Sequence, residues 1–155
     1  MTTVTPDFAG FQALIAEREG KVLSVYKDSL GVLTCGIGHK VLPEDGLQLG
    51  DPITEAQCDA FFAVDGKKAW DAAVAQATQA NITSPAFLPY LASVCYQLGV
   101  DWTAEFPLTW GEIMAGDYRM AASFVAHSMW ARETPVRVTD FQNALLNLPT
   151  QGAEA

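Results

Sequence analysis

Residues 19–39, EGKVLSVYKDSLGVLTCGIGH, constrain this chain more than any other stretch. Two short β-branched or apolar runs, residues 22–26 and 32–37, stand on either side of Asp28-Ser29-Leu30-Gly31. Runs of that length around a turn-forming tetrapeptide predict an antiparallel hairpin. The same segment carries two carboxylates, Glu19 and Asp28, a hydroxyl, Thr34, and glycines at 20, 31, 36 and 38. No other part of the chain sets as many reactive polar groups among apolar neighbours.

Around this hairpin the pattern is helical. Asp7 reads as an N-cap for Phe8, Phe11, Leu14 and Ile15, with Gly20 as the stop. Residues 42–52, rich in Pro, Gly and acid, read as a loop or a weak third strand. Thr54 is placed to cap a long helix that carries Phe61, Phe62, Val64, Trp70 and Val74, with Gly66 as its weak point. Ser84-Pro85 reads as a cap and first-position proline before a helix to about Leu98, apolar nearly all round and hence central. Residues 102–107 read as a loop. Residues 108–115 and 118–128 read as short helices joined at Gly116-Asp117. Thr134-Pro135 starts a last helix bearing Val138, Phe141, Leu145 and Leu146, before a polar tail that frays. The expectation is an α+β chain, mainly helical, with one small antiparallel sheet near the N-terminus.

Charge and cysteine content exclude several functions. The net charge is −9 and the nine Lys and Arg are scattered, the opposite of a nucleic-acid surface. No apolar run approaches the ~20 residues that span a bilayer, and MTTVTPDFAG has no basic start or apolar core, so no Sec leader is expected. Cys35, Cys58 and Cys95 are odd in number and form no CxxC pair, and the two histidines lie far apart. Buried thiols made in a reducing compartment are expected, and no metal site.

Glu19 falls within roughly 20° of Phe8 on the helical wheel. It is expected toward the apolar stripe and partly buried, at the negative end of the helix macrodipole, surroundings that favour a protonated acid. The plain alternative is a solvated Glu at a helix end. Asp28 beside Ser-Leu-Gly is ordinary turn chemistry, and Thr34 in a strand is unremarkable. Together they supply an acid at a helix end, then a carboxylate and a hydroxyl on the two arms of one hairpin. Glycosidic cleavage calls for such a set: an acid on the leaving oxygen and a group handling water on the far side of the sugar.

Glu19-Gly20, Tyr26-Lys27-Asp28, Gly31, Thr34 and Gly36-Ile37-Gly38-His39 resemble the signature of phage-type lysozymes, with eight residues between Glu19 and Asp28 and five between Asp28 and Thr34. Tyr96-Gln97-Leu98-Gly99, Ser128-Met129-Trp130 and Thr134-Pro135 with Arg137 extend the likeness. The resemblance implies one lysozyme-like domain over residues 1–155. A small β-containing lobe would cover about 20–53, a helical lobe about 54–148 plus the N-terminal helix, and a cleft would lie between them. It implies Glu19 as proton donor, Asp28 and Thr34 as the pair that positions and activates water with inversion, and Tyr96 and Thr109 as saccharide contacts. Lys40 and Phe124 depart from the residue types expected at two further contacts. Arg137 and Trp130 would support the fold, and His39 would be a structural hydrogen-bond partner.

The implied substrate is the peptidoglycan glycan strand, cut at the β-1,4 bond between N-acetylmuramic acid and N-acetylglucosamine without cofactor or metal. A lytic transglycosylase would break the same bond without water, and Asp28 with Thr34 would then be needless. A non-catalytic glycan-binding virion lobe is the reading from another class. Synthesis in a host cytoplasm and action on periplasmic wall would follow. Holin-dependent release, tail association and delivery as a secreted effector stay open. The segment 40–53 looks short for the family, and the acidity is unusual against an anionic wall polymer.

Overall fold

The computed structural model describes residues 8–149, so Asp7 and the tail from Thr150 lie outside the described residues. The elements run α1 (Phe8–Glu19), β1 (Val22–Lys27), β2 (Leu33–Gly36), β3 (His39–Lys40), α2 (Glu55–Gln79), α3 (Leu88–Leu98), α4 (Trp102–Glu105), α5 (Pro107–Ala115), α6 (Tyr118–Ala126), α7 (Met129–Glu133) and α8 (Pro135–Leu146). The expected α+β composition is present. The chain divides into two compact units: one is Gln12–Lys68, and the other takes the chain up to Phe11 and from Ala69 onward.

In the unit Gln12–Lys68 the sheet has the order β1-β2-β3 with both pairings antiparallel. Tyr26 faces Thr34, and Thr34 faces Lys40. The register slips between Val22 and Tyr26. There β1 turns its hydrogen bonds to residues 50–53: Val25 N–H donates to Asp51 O and Gly50 N–H to Val25 O, both at 2.9 Å. The third strand therefore falls before residue 42, and the acidic Pro/Gly segment returns along the free edge of β1 with a lone bridge at Ser24–Pro52. Proline at 52 suits an edge, where a missing N–H breaks no ladder.

Ile15, Val25, Ile37, Ile53 and Phe62 are buried in this unit. Each contributes about 1.5–3 kcal/mol by leaving water. The exposed Lys21–Glu55 ion pair adds little, because solvent screens it. Apolar burial decides the stability here. At the start of α2, Thr54 Oγ1 accepts from Gln57 N–H at 3.0 Å while Gln57 Oε1 accepts from Thr54 N–H at 2.8 Å. This reciprocal pair is the capping box that fixes where the helix begins. The buried residues of α2 are Cys58, Phe62, Gly66, Ala69, Ala73, Gln76 and Ala77. Val64, expected on the stripe, is 73% exposed, and Val74 is exposed too. Small residues let the helix approach its neighbours, which apolarity alone does not reveal.

In the other unit α3 is central: Leu91 to Cys95 are five consecutive buried residues. Gln76 binds this region through three polar contacts. Its Oε1 accepts from Trp102 Nε1 at 3.0 Å and from Cys95 Sγ at 3.4 Å, and its Nε2 donates to Val100 O at 3.0 Å. Trp130 Nε1 donates to Gln97 Oε1, and Gln97 Nε2 to Thr134 Oγ1, each at 3.0 Å. Arg137 donates to Ser93 Oγ at 2.9 Å. Trp130 and Arg137 thus hold the helical core together.

Three local expectations change. Residues 102–107 are not a plain loop: Trp102, 1% exposed, and Phe106 pack at helical spacing with ring centroids 6.4 Å apart and wind one turn, α4. Ser128 ends its helix early and caps the extra helix α7 by accepting from Ala131 N–H at 3.2 Å. Thr134 and Ser84 supply no side-chain cap. Thr134's hydroxyl is taken by Gln97, and the prolines after Ser84 leave a tight 3-10 turn, Pro85–Phe87, before α3.

Gly66 explains how a long helix tolerates glycine. A Cβ there would sit 2.6 Å from Cε2 of the Phe62 ring, and Phe62 is 1% exposed and cannot swing away. Gly66→Ala is expected to destabilise by about 1–3 kcal/mol through overpacking, although alanine alone would favour the helix by about 1 kcal/mol. Urea unfolding decides it: a more stable variant would show that the ring relaxes.

Candidate active site

The hairpin turn is built around the backbone of one residue, Val32. Val32 N–H donates to Asp28 Oδ1 at 2.9 Å, and Val32 O accepts from Asp28 N–H at 2.9 Å. The same carbonyl accepts from Thr34 Oγ1 at 2.9 Å. Leu30 N–H adds a second bond to Asp28 Oδ1 at 2.9 Å. Asp28 and Thr34 are therefore brought together through Val32. The turn chemistry expected of Asp28 as an ordinary residue is present, and it also fixes the direction of the carboxylate.

The other carboxylate oxygen, Oδ2, accepts from Lys40 Nζ at 2.7 Å. This ammonium bond is the first cause, and the Val32 N–H the second, of an Asp28 acidity strengthened from 3.8 to about 2. Asp28 is an anion throughout the neutral and mildly acid range. Thr34 is 1% exposed, so its hydroxyl is enclosed with its proton committed to Val32 O.

Glu19 closes α1, and Gly20, with φ +86°, turns the chain into β1. Its side chain lies against Gly38: a Cβ on Gly38 would stand 3.4 Å from Glu19 Oε1. Gly38 has φ +72°, so both conformation and space favour glycine there. The expected partial burial of Glu19 is not found; the residue is exposed. The wheel places it near the apolar stripe, but that stripe is buried only as far as Ile15. The last turn runs past the core, and Gly38 offers no side chain to cover it.

The strand β2 separates these groups. Asp28 is held at its leading end through Val32, and Glu19 lies beside Gly38, just past its trailing end. Four strand residues span roughly 13 Å, which sets the scale of the separation between the two ends of β2.

A sequence model of the family described as phage lysozyme matches residues 16–139. The chain belongs to the phage lysozyme family. It is also 27% identical over 135 residues to the peptidoglycan hydrolase gp36 of Pseudomonas phage phiKMV. That match takes in 87% of this chain and spans 15% of the relative's length.

The other expected site residues lie in the other unit. Tyr96, half-buried on α3, packs edge-on against Phe11 with centroids 6.1 Å apart. Thr109, 3% exposed, lines a pocket of about 350 Å³ with Phe106, Leu108, Phe124, Glu105 and His127. Phe124 makes that pocket more apolar than a saccharide contact requires.

His39 has the hydrogen-bonding role expected of it, with two partners that the sequence did not reveal. Its Nδ1 bonds Asp65 Oδ2 at 2.6 Å and its Nε2 bonds Asp45 Oδ2 at 2.8 Å. Its ring stacks on Phe61 with centroids 3.9 Å apart. Only the imidazolium can donate from both nitrogens to two carboxylates. Burial works against that charge, but the bonds to Asp45 and Asp65 together raise the His39 pKa above 6.5. Asp45 is lowered from 3.8, first by the Leu42 N–H and then by His39. The only available signal was Phe61 and Asp65 one helical turn apart on α2.

The signs follow from linkage. His39 is raised, so its contribution is full below pH 6.5 and fades as pH climbs through the folded value. Asp45 is lowered, so its share is lost only in stronger acid. His39→Asn is expected to cost on the order of 3 kcal/mol near pH 5.5, with the gap to wild type narrowing at alkaline pH. Denaturant titrations at several pH values test this. A gap independent of pH would show that His39 acts by packing alone.

Proposed function

We propose that this chain is a peptidoglycan hydrolase, a muramidase cleaving the β-1,4 bond between N-acetylmuramic acid and N-acetylglucosamine with inversion. The observation that carries the proposal is the pair of carboxyl groups held at opposite ends of β2, Glu19 against Gly38 and Asp28 by the Val32 peptide. Inverting glycosidases keep their two carboxyls about 6.5–9.5 Å apart so that a water fits between base and sugar. Family membership and the likeness to a phage peptidoglycan hydrolase support the wall polymer as substrate. Residues 1–155 are read as one lysozyme-like domain.

Glu19, as the acid, gives its proton to the glycosidic oxygen while the bond from C1 to that oxygen breaks. Water attacks C1 from the opposite face and its proton passes to Asp28. A carboxylate as acidic as Asp28 is a weak base in the ground state. It acts chiefly by orienting the water and by opposing the positive charge that develops on the sugar. Thr34 acts on the water through the turn: its hydroxyl keeps Val32 O engaged and so helps fix the carboxylate that orients the water. Tyr96 and Thr109 are assigned to saccharide contact.

Glu19→Gln is expected to lower kcat/KM on purified peptidoglycan by about 10²–10⁴-fold with little change in thermal midpoint, because the residue is exposed. Asp28→Asn keeps an oxygen for the turn amides and removes the charge, so it separates catalysis from folding. Its turnover should collapse as well. Mass spectrometry and NMR of early products should show a reducing muramic end in the α configuration. An anhydro product, one water lighter, would replace hydrolysis by transglycosylation. Near-normal turnover by Glu19→Gln would remove Glu19 from its role.

A further inference from the structure

Among the partners of Asp28, Lys40 comes from furthest away in the sequence, and it is the charged one. Thr34 pairs with both Tyr26 and Lys40 across the sheet, and residues paired in this way project on one face. The lysine is therefore delivered from β3 to the face where Thr34 lies and where Asp28 follows two residues after Tyr26.

The acceptor sites of Asp28 can be counted. Two carboxylate oxygens offer about four lone-pair sites. Oδ1 accepts from Leu30 N–H and Val32 N–H, which fills it. Oδ2 accepts from Lys40 Nζ at 2.7 Å, so a single position on this oxygen is left. The pair is also poor glue. The Lys40 side chain is 57% exposed and that of Asp28 19%, conditions in which an ion pair adds little to stability.

We propose that Lys40 is a positioning residue of the hydrolytic site: its ammonium fixes Oδ2 of Asp28 and leaves one lone pair of that oxygen to receive the attacking water. The inference rests on the reading of Asp28 as the group that handles water. The groups meeting Asp28 are this ammonium from β3 and the two amide hydrogens of its own turn; Thr34, from β2, is neutral. With Lys40 in place the carboxylate has one direction open and stays ionised in acid. Without it, Oδ2 accepts water from two directions and only one of them faces the sugar.

Two effects of removing the ammonium oppose each other. The carboxylate becomes more basic, which aids proton removal by a few-fold at most. The water loses its fixed approach, and small misplacements of a reacting group cost up to about 10²-fold. Orientation wins.

Lys40→Met is therefore expected to lower kcat about tenfold with KM within about twofold of wild type. Lys40→Arg, which keeps a charged donor, should restore most of the loss. Carbon-13 NMR of the Asp28 carboxyl should show its titration moving upward in Lys40→Met and back in Lys40→Arg. A kcat for Lys40→Met within twofold of wild type, alongside inactive Glu19→Gln, would overturn the role of Lys40 and leave the hydrolytic reading standing. Wild-type protein that releases no glycan fragment would end that reading and this inference with it.

Discussion

The Val32 peptide is the interaction on which the arrangement of the hairpin depends. The carbonyl oxygen of Val32 accepts from the Asp28 N–H and the Thr34 hydroxyl, and the N–H of the same residue donates to the Asp28 carboxylate. Turn geometry and carboxylate direction are thus a single constraint. All three bonds meet on one residue, so a shift of Val32 disturbs them together. The ordinary reading of Asp28 as a turn residue and the chemical one therefore do not compete. A group that must point one way, with little freedom to lose on reaction, gains from being the residue that holds the turn.

His39 does for the far end of β2 what Val32 does for the near end. It begins β3 immediately after Gly38, the residue on which the Glu19 side chain rests. Asp65 and Phe61 tie its ring to α2, and Asp45 ties it to the loop that follows β3. Glu19 itself is exposed. Its side chain rests on Gly38, and the residue after Gly38 is His39, buried and held between two acids. Fixing an exposed acid through rigid neighbours leaves it accessible to substrate, which burial would not.

The hairpin was legible in the sequence because its signals are local: β-branched runs, a turn tetrapeptide, and glycines whose conformation the turns require. Helix starts at Thr54 and Asp117 were legible for the same reason, each cap lying within three residues of its partner. The failures share a cause as well. Thr134 looks like a cap but Gln97, 37 positions away, claims its hydroxyl. Glu19 falls on the right side of the wheel, yet its exposure depends on where the core ends. Asp45, Asp65 and Lys40 sit as unremarkable charges in the sequence, and only tertiary approach gives them partners. The identities of the catalytic candidates were local information, whereas the groups that hold them were not.

This division bears on the acidity of the chain. A net charge of −9 is largely screened from any charged polymer beyond a Debye length, roughly 8–10 Å at physiological salt. Inside that distance the charge that matters is the one facing the substrate. On the sheet face that carries Asp28 and Thr34, Lys40 offsets the charge of Asp28 and still presents more than half its side chain to solvent. The global charge then governs encounter and solubility, and the local ammonium governs the field beside Asp28. An overall acidic chain can carry a locally compensated sheet face because different lengths of the same electrostatics control the two.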